Sequence, residues 1–183
     1  MLAGQRVLLP LLLLLVAQAC AEPEPESFSR GEAIPIAEWT VKVSRVEVLS
    51  ANSLPAAAIQ LFQSGEKLMA VHVQLEHEGL AEEIPPSFAR LLRSVRLEDE
   101  TGTRWKLRSV PLTDTQWRMA KAGNEYTLGN LERWTGEIRT QQFLKSWVLP
   151  FFVPQESRGF HFYIESYDRR EGQPRLAVVD LGR

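Results

Sequence analysis

The clearest pattern in the chain is an alternation of apolar and polar positions over residues 66–77. Val71, Val73 and Leu75 recur at a period of two, with polar side chains between them. Successive side chains of a strand point to opposite faces, so this alternation predicts a strand with one buried and one exposed face. His72 lies on the phase opposite to Val71, and we expect its imidazole to face solvent.

A second strand is predicted over residues 38–49, with an irregularity in its middle. Trp39 and Val43 share one parity of the sequence, whereas Val46 falls on the other. One extra residue in a strand exchanges the two faces from that point onward. The phase change therefore predicts a β-bulge near Ser44.

Further strands are predicted from alternation and from dense apolar runs. Gly102 suits the positive φ of a hairpin turn, and Pro150 favours an edge position or a bulge for its strand. The acidic tip of the hairpin, Glu98–Glu100, indicates a solvated turn, with a calcium site as the alternative. The segments are a hairpin over 94–108 and strands over 146–153, 158–166 and 175–181.

Two short helices are predicted, over residues 53–63 and 86–93, from capping residues and from apolar positions spaced three and four apart. Residues 109–145 are predicted to be a long connection with some strand. About six or seven short strands with few helices favour an antiparallel β-sandwich.

The first nineteen residues have the pattern of a secretory signal peptide. A positive charge at Arg6 precedes an apolar run, and Ala17 and Ala19 provide small residues at its exit. The apolar run is too short to span a hydrocarbon core of about 30 Å as a helix. We expect residues 1–19 to be removed.

Cys20 follows directly, and it is the only cysteine of the chain. The tetrad Ala17-Gln18-Ala19-Cys20 resembles a bacterial lipobox, whose cysteine carries the lipid. The alternative is an ordinary signal peptide followed by an unrelated cysteine. Ala21 and Glu22 are not the aspartate that resembles an inner-membrane retention signal, which favours the outer membrane of a two-membrane bacterium.

Residues 20–37 are rich in proline and glutamate, a composition that predicts an extended, solvated tether. The expected organisation is therefore a signal peptide over 1–19, a lipidated Cys20 with a tether over 20–37, and a β-sandwich over 38–183.

The order of motifs over residues 38–183 resembles an immunoglobulin-like domain of unknown function found on secreted bacterial lipoproteins. The segments that carry the resemblance are the hairpin Glu98–Gly102 and the run Phe151–Pro154. The resemblance implies an immunoglobulin-like sandwich in an extracytoplasmic setting. It brings no catalytic residue to this chain.

Charge and motifs exclude several classes of function. The chain has 21 basic and 23 acidic residues, a net charge of -2, so no wholesale attraction to nucleic acid is expected. Phosphate-binding glycine loops and a nucleophile elbow are absent, and one cysteine excludes a multi-cysteine metal site. His72 and His77 fall on opposite strand faces, whereas a metal held by His72 and His161 remains an open alternative. No catalytic residue, metal or cofactor is predicted.

Binding is the function that the sequence favours. Trp117 and Trp134, with Arg118 and Arg133 beside them, are the candidate binding residues, because tryptophan and arginine dominate binding hot spots. We expect the segment from Asp114 to Thr140, which contains these residues, to form the site if either ring is exposed. The alternative is that the segment supplies a strand pair and both rings are core.

The sequence thus predicts an envelope lipoprotein, attached to the membrane by its lipid, whose non-enzymatic domain binds a protein partner or a small ligand. The oligomeric state is not set by any of these patterns. The alternative is a periplasmic enzyme or accessory subunit using His72, His161 and carboxylates.

Overall fold

The computed structural model of the protein describes residues 23–50, 63–77, 86–122, 145–168 and 173–182. The predicted signal peptide, Cys20 and most of the predicted helix over 53–63 lie outside these ranges. The elements within them are β1 (Glu26–Phe28), β2 (Ala33–Ile36), β3 (Trp39–Ser50), β4 (Glu66–His77), α1 (Pro86–Ser94), β5 (Val95–Glu98), β6 (Arg104–Lys106), β7 (Leu112–Thr113), α2 (Asp114–Lys121), β8 (Ser146–Pro154), β9 (His161–Asp168) and β10 (Gln173–Asp180).

The strands of the described ranges form two sheets of five. Sheet 1 has the order β1-β10-β9-β5-β6, and sheet 2 has the order β2-β3-β4-β8-β7. Neighbouring strands are antiparallel except β1 and β10, which pair in parallel. The predicted antiparallel β-sandwich with one or two short helices is confirmed.

The main core consists of the side chains that the two sheets direct toward each other. On β4, Val71 and Val73 face this core, and on β9 it is Phe162 that does so. Helix α1 adds Phe88 and Leu92 to the same cluster, as its predicted spacing requires. The inward phases predicted for these elements are confirmed.

The bulge in β3 is also confirmed. Val43 pairs with Val73 and Arg45 pairs with His72, so Ser44 is the extra residue. The bulge absorbs the phase change of the sequence. As a result Val46 packs against the main core, and Arg45 lies on the outer face of sheet 2.

Pro150 lies in β8, which has β4 and β7 as neighbours. Among the described strands, β7 pairs only with Trp147 and Val148, so beyond them β8 has its partner on one side only. Such a position tolerates a residue that lacks the backbone N–H.

The predicted tether over 20–37 is wrong for the residues of β1 and β2. Ile34 and Ile36 are each 1% exposed and belong to the main core. They alternate around Pro35, and β2 is an edge strand of sheet 2, where a proline costs no ladder hydrogen bond. The β-sandwich therefore includes residues from Glu26 onward rather than from residue 38.

The predicted exposure of the second face of β4 is wrong as well. A second apolar cluster covers the outer face of sheet 2, and His72 on that face is only 4% exposed. Helix α2, which lies in the segment predicted to be a connection with some strand, supplies much of the cover. The cluster consists of Leu68, Ala70, Leu112, Trp117, Val148 and Phe152.

No helix within the described residues is long and apolar enough to cross a membrane.

Candidate functional site

A polar cleft opens on the outer face of sheet 2, beside helix α2. We call it the His72 cleft. Its volume is about 360 Å³. Strands β3, β4 and β8 and helix α2 all contribute side chains to it. The lining residues on which its chemistry depends are Arg45, His72, Gln74, Asp114, Arg118 and Ser146.

The bulge in β3 shapes one side of the cleft. The Ser44 hydroxyl donates a hydrogen bond to the backbone carbonyl of His72, at 3.1 Å. From Arg45 onward the strand alternates regularly again, so Glu47 shares the outer face with Arg45. Two charged side chains of β3 are in this way brought next to the imidazole of His72.

Helix α2 provides the opposite side, and a capping box fixes where it begins. The Gln116 backbone N–H donates to the Thr113 hydroxyl at 3.1 Å, and the Thr113 N–H donates to the Gln116 side-chain oxygen at 2.8 Å. Asp114 and Arg118 are four residues apart, so both lie on one face of the helix. That face borders the cleft.

His72 lies between two carboxylates. Its Nε2 is 3.0 Å from Glu47 Oε1, and its Nδ1 is 3.4 Å from Asp114 Oδ1. The Nε2 contact is close but lacks hydrogen-bond geometry, so this buried nitrogen has no hydrogen-bond partner among the described residues. A buried polar atom without such a partner is uncommon, and the indole Nε1 of Trp117 beside it is in the same state.

Glu47, one of the two carboxylates beside His72, forms ion pairs with two positive side chains. Glu47 contacts Lys121 at 2.8 Å and Arg45 at 2.7 Å. Burial by itself would raise the pKa of Glu47, but the hydrogen bond and charge of Lys121, helped by Arg45, outweigh it and lower that pKa. Glu47 therefore carries its negative charge at neutral pH.

The pKa of His72 is lowered too. Burial is the main cause and the positive charge of Arg45 is the next, although Glu47 and Asp114 act in the opposite direction. The imidazole is accordingly neutral at neutral pH, in spite of its two carboxylate neighbours.

Trp117 lies beneath the cleft and is not an exposed ring. It is 1% exposed and packs against His72, with ring centroids 6.2 Å apart and planes at 79°. The predicted possibility of an exposed platform at Trp117 is therefore wrong, because the apolar outer face of sheet 2 needs a cover and this ring supplies it. Trp134 and Arg133, the other predicted pair, lie outside the described residues.

Arg118 is the one predicted candidate that the structure places in the cleft, where it is exposed. The sequence did not predict Arg45 as a site residue or His72 as a buried one, whereas Asp114 is the first residue of the segment that was expected to carry the binding. The signal for α2 was present, since Thr113 followed three residues later by Gln116 is a capping-box pattern.

His161 is not near His72. It lies on the outer face of sheet 1, where its ring is 6.5 Å from that of Tyr163, while His72 lies on the outer face of sheet 2. The alternative of a metal shared by the two histidines is wrong, since the whole sandwich separates them. Within the described residues no group of three or more His, Cys, Asp or Glu could hold a metal ion.

A solved structure of an uncharacterised β-sandwich protein from Clostridium difficile 630 is similar to the chain, with a TM-score of 0.49 and 11% sequence identity. The similarity covers 88% of this chain and 98% of that one. No protein-family model matches the sequence, and no curated protein matches it.

Proposed function

We propose that the chain is an envelope-anchored lipoprotein whose non-enzymatic β-sandwich binds a small polar ligand in the His72 cleft. The observation that carries the proposal is the cleft itself. Its volume of about 360 Å³ falls in the range of small-molecule sites, which is about 300–1,000 Å³. Its charged and polar side chains come from both a sheet and a helix, so they are held on rigid elements.

The support for a lipid anchor comes from the sequence. The signal-peptide pattern ends at the only cysteine of the chain, Cys20, and no other residue is expected to carry the acyl chains. The Cys20→Ser variant should lose lipid labelling and leave the membrane fraction after cell fractionation. A variant that stays with the membranes as the wild type does would overturn the anchor.

Catalysis by His72 and carboxylates is the alternative function. The contact between His72 and Asp114 inside a cleft is the observation that favours it. Both ring nitrogens, however, face carboxylates, Glu47 on one side and Asp114 on the other, so neither is directed at a bound substrate. This geometry supports binding over acid–base chemistry by His72.

The binding proposal is tested with a library of small sugars, organic acids, amino acids and nucleosides, screened by ligand-detected NMR against the full chain. At least one class should bind the wild type. Arg118→Ala should weaken that binding at least tenfold, whereas Arg30→Ala, which removes an exposed arginine from the turn between β1 and β2, should leave it unchanged. Absence of any binder, or binding that Arg118→Ala does not affect, contradicts the proposal and would direct attention to a protein partner.

A further inference from the structure

Two arginines enter the His72 cleft from different elements with part of their hydrogen-bonding capacity unused. Arg45, on β3, bonds Glu47 through Nη2, and Arg118, on α2, donates from Nε to the Asp114 backbone carbonyl at 3.3 Å. No described residue bonds their remaining guanidinium nitrogens. Two partly free guanidinium groups in one cleft are suited to a planar carboxylate, whose two oxygens match the fork of an arginine.

The local charge balance points to a ligand with a single negative charge. The charged side chains that line the cleft are two arginines, Arg45 and Arg118, and one carboxylate, Asp114, so the lining has a net charge of +1 when His72 is neutral. A carboxylate of charge -1 offsets this excess. A phosphate dianion would exceed it, and Asp114 would repel the dianion about twice as strongly as a carboxylate at the same distance.

The rest of the cleft matches hydroxyl groups. Gln74 and Ser146 are cross-strand neighbours on β4 and β8, and no described residue bonds their side chains. The side chain of Asp114 is half exposed, and its Oδ1 contacts His72 Nδ1 whereas its Oδ2 does not. An amide, a hydroxyl and a carboxylate oxygen together can both donate to and accept from the hydroxyls of one ligand.

We infer that the ligand of the His72 cleft is a small hydroxylated carboxylic acid, with the chemistry of a sugar acid. Its carboxylate binds Arg45 and Arg118, and its hydroxyls bind Gln74, Ser146 and the free oxygen of Asp114. This inference rests on the proposed function, because it specifies the ligand class of the same cleft.

The test is calorimetric titration of the full chain with D-glucuronate and D-galacturonate. D-glucose is the matched neutral probe, and inorganic phosphate is the matched anion without hydroxylated carbon. At least one sugar acid should bind with a Kd below about 1 mM, and glucose and phosphate should bind at least tenfold more weakly. Arg45→Ala and Arg118→Ala should each weaken sugar-acid binding at least tenfold without lowering the melting temperature, and Arg30→Ala should not weaken it.

The outcomes separate this inference from the function on which it rests. If glucose binds as tightly as the sugar acids, or phosphate binds more tightly, or neither acid binds while a different library compound does, the ligand class is wrong and the cleft remains a binding site. If neither the sugar acids nor any library compound binds, both the ligand class and the proposed function are wrong.

Discussion

The surroundings of two buried ionisable side chains differ sharply. Asp99 lies in the turn between β5 and β6, and His72 lies in the wall of the cleft. Asp99 is 6% exposed. Its Oδ1 accepts hydrogen bonds from the Thr101 backbone N–H at 3.0 Å, the Thr101 hydroxyl at 2.6 Å and the Thr103 N–H at 3.0 Å. His72 is equally buried, yet its Nε2 makes no hydrogen bond to a described residue.

Both pKa values are lowered, for opposite reasons. Burial alone would raise the pKa of Asp99, but the hydrogen bonds from Thr101 and Thr103, with one from Ser157, stabilise its charged form. For His72 burial is the cause of the shift, and it is the neutral form that gains. The hydrogen bonds of Asp99 therefore hold a charge in the turn, whereas burial holds His72 in its neutral form in the wall of the cleft.

The largest expected effect concerns the layer beneath the cleft. Trp117→Ala should lower the free energy of unfolding by about 3–5 kcal/mol, because it empties a fully buried position in the second apolar cluster. Met119→Ala, on the exposed side of the same helix, should change it by less than about 0.5 kcal/mol. Urea denaturation measures both. Equal stabilities would mean that the ring does not support the cleft.

A smaller effect is expected at the turn. Asp99→Ala removes the acceptor of three hydrogen bonds and should cost about 1–3 kcal/mol in urea denaturation. Glu100→Ala, at the exposed neighbouring position, is the matched control and should be close to neutral. Ligand binding in the cleft should survive both changes. If Asp99→Ala left the free energy of unfolding unchanged, the hydrogen bonds of Asp99 would not stabilise the turn, and Asp99 would not differ from His72 in this respect.

The smallest effect is a dependence of stability on pH. The pKa of His72 in the unfolded chain is about 6.5, and in the folded chain it is lower. The unfolded state therefore binds the proton more tightly, and stability should be complete above about pH 6.5 and should fall as the pH drops below that value. Melting temperatures between about pH 7.5 and pH 5 measure the decline, above the range in which Asp99 and Glu47 titrate.

The control for this prediction is a second histidine. His72→Gln should remove the decline between about pH 6.5 and pH 5, whereas His161→Gln should keep it because His72 is intact. Charged groups face His72 from both sides, Arg45 and Glu47 on β3 and Asp114 on α2. A decline of the same size in the His72→Gln variant would place the responsible group elsewhere.

The inner half of the sandwich could be predicted from the sequence, because one alternation specifies one buried face. The burial of the outer face of sheet 2 was harder to predict, because it depends on the helix that packs over this face rather than on the alternation within the strands. Leu68 and Ala70 share the phase of His72, and these two apolar residues were a sign that the outer face of β4 is covered. His72→Asp, which an exposed position would tolerate, is now expected to destabilise the chain by adding a third carboxylate between Glu47 and Asp114.

The turn between β5 and β6 and the strands β1 and β2 also differ from what the sequence predicted. Gly102 has the predicted positive φ, of 79°, but the hairpin tip is not simply solvated, since Asp99 is buried among hydroxyl and backbone donors. Proline and glutamate content predicted a tether where Ile34 and Ile36 form a buried edge strand. Composition averages over a segment, whereas two isoleucines at alternate positions are enough to attach it to a core.

The bulge at Ser44 has an evolutionary consequence. Loss of that single codon would make Val43 and Arg45 adjacent, and adjacent strand residues face opposite sides, as these two already do. Every other side chain of β3 would keep its face, and only the hydroxyl that donates to the His72 carbonyl would disappear. Loss of one codon elsewhere within the paired length of β3 would turn part of the strand over. In homologues, a gap of one residue in this strand is therefore expected at Ser44.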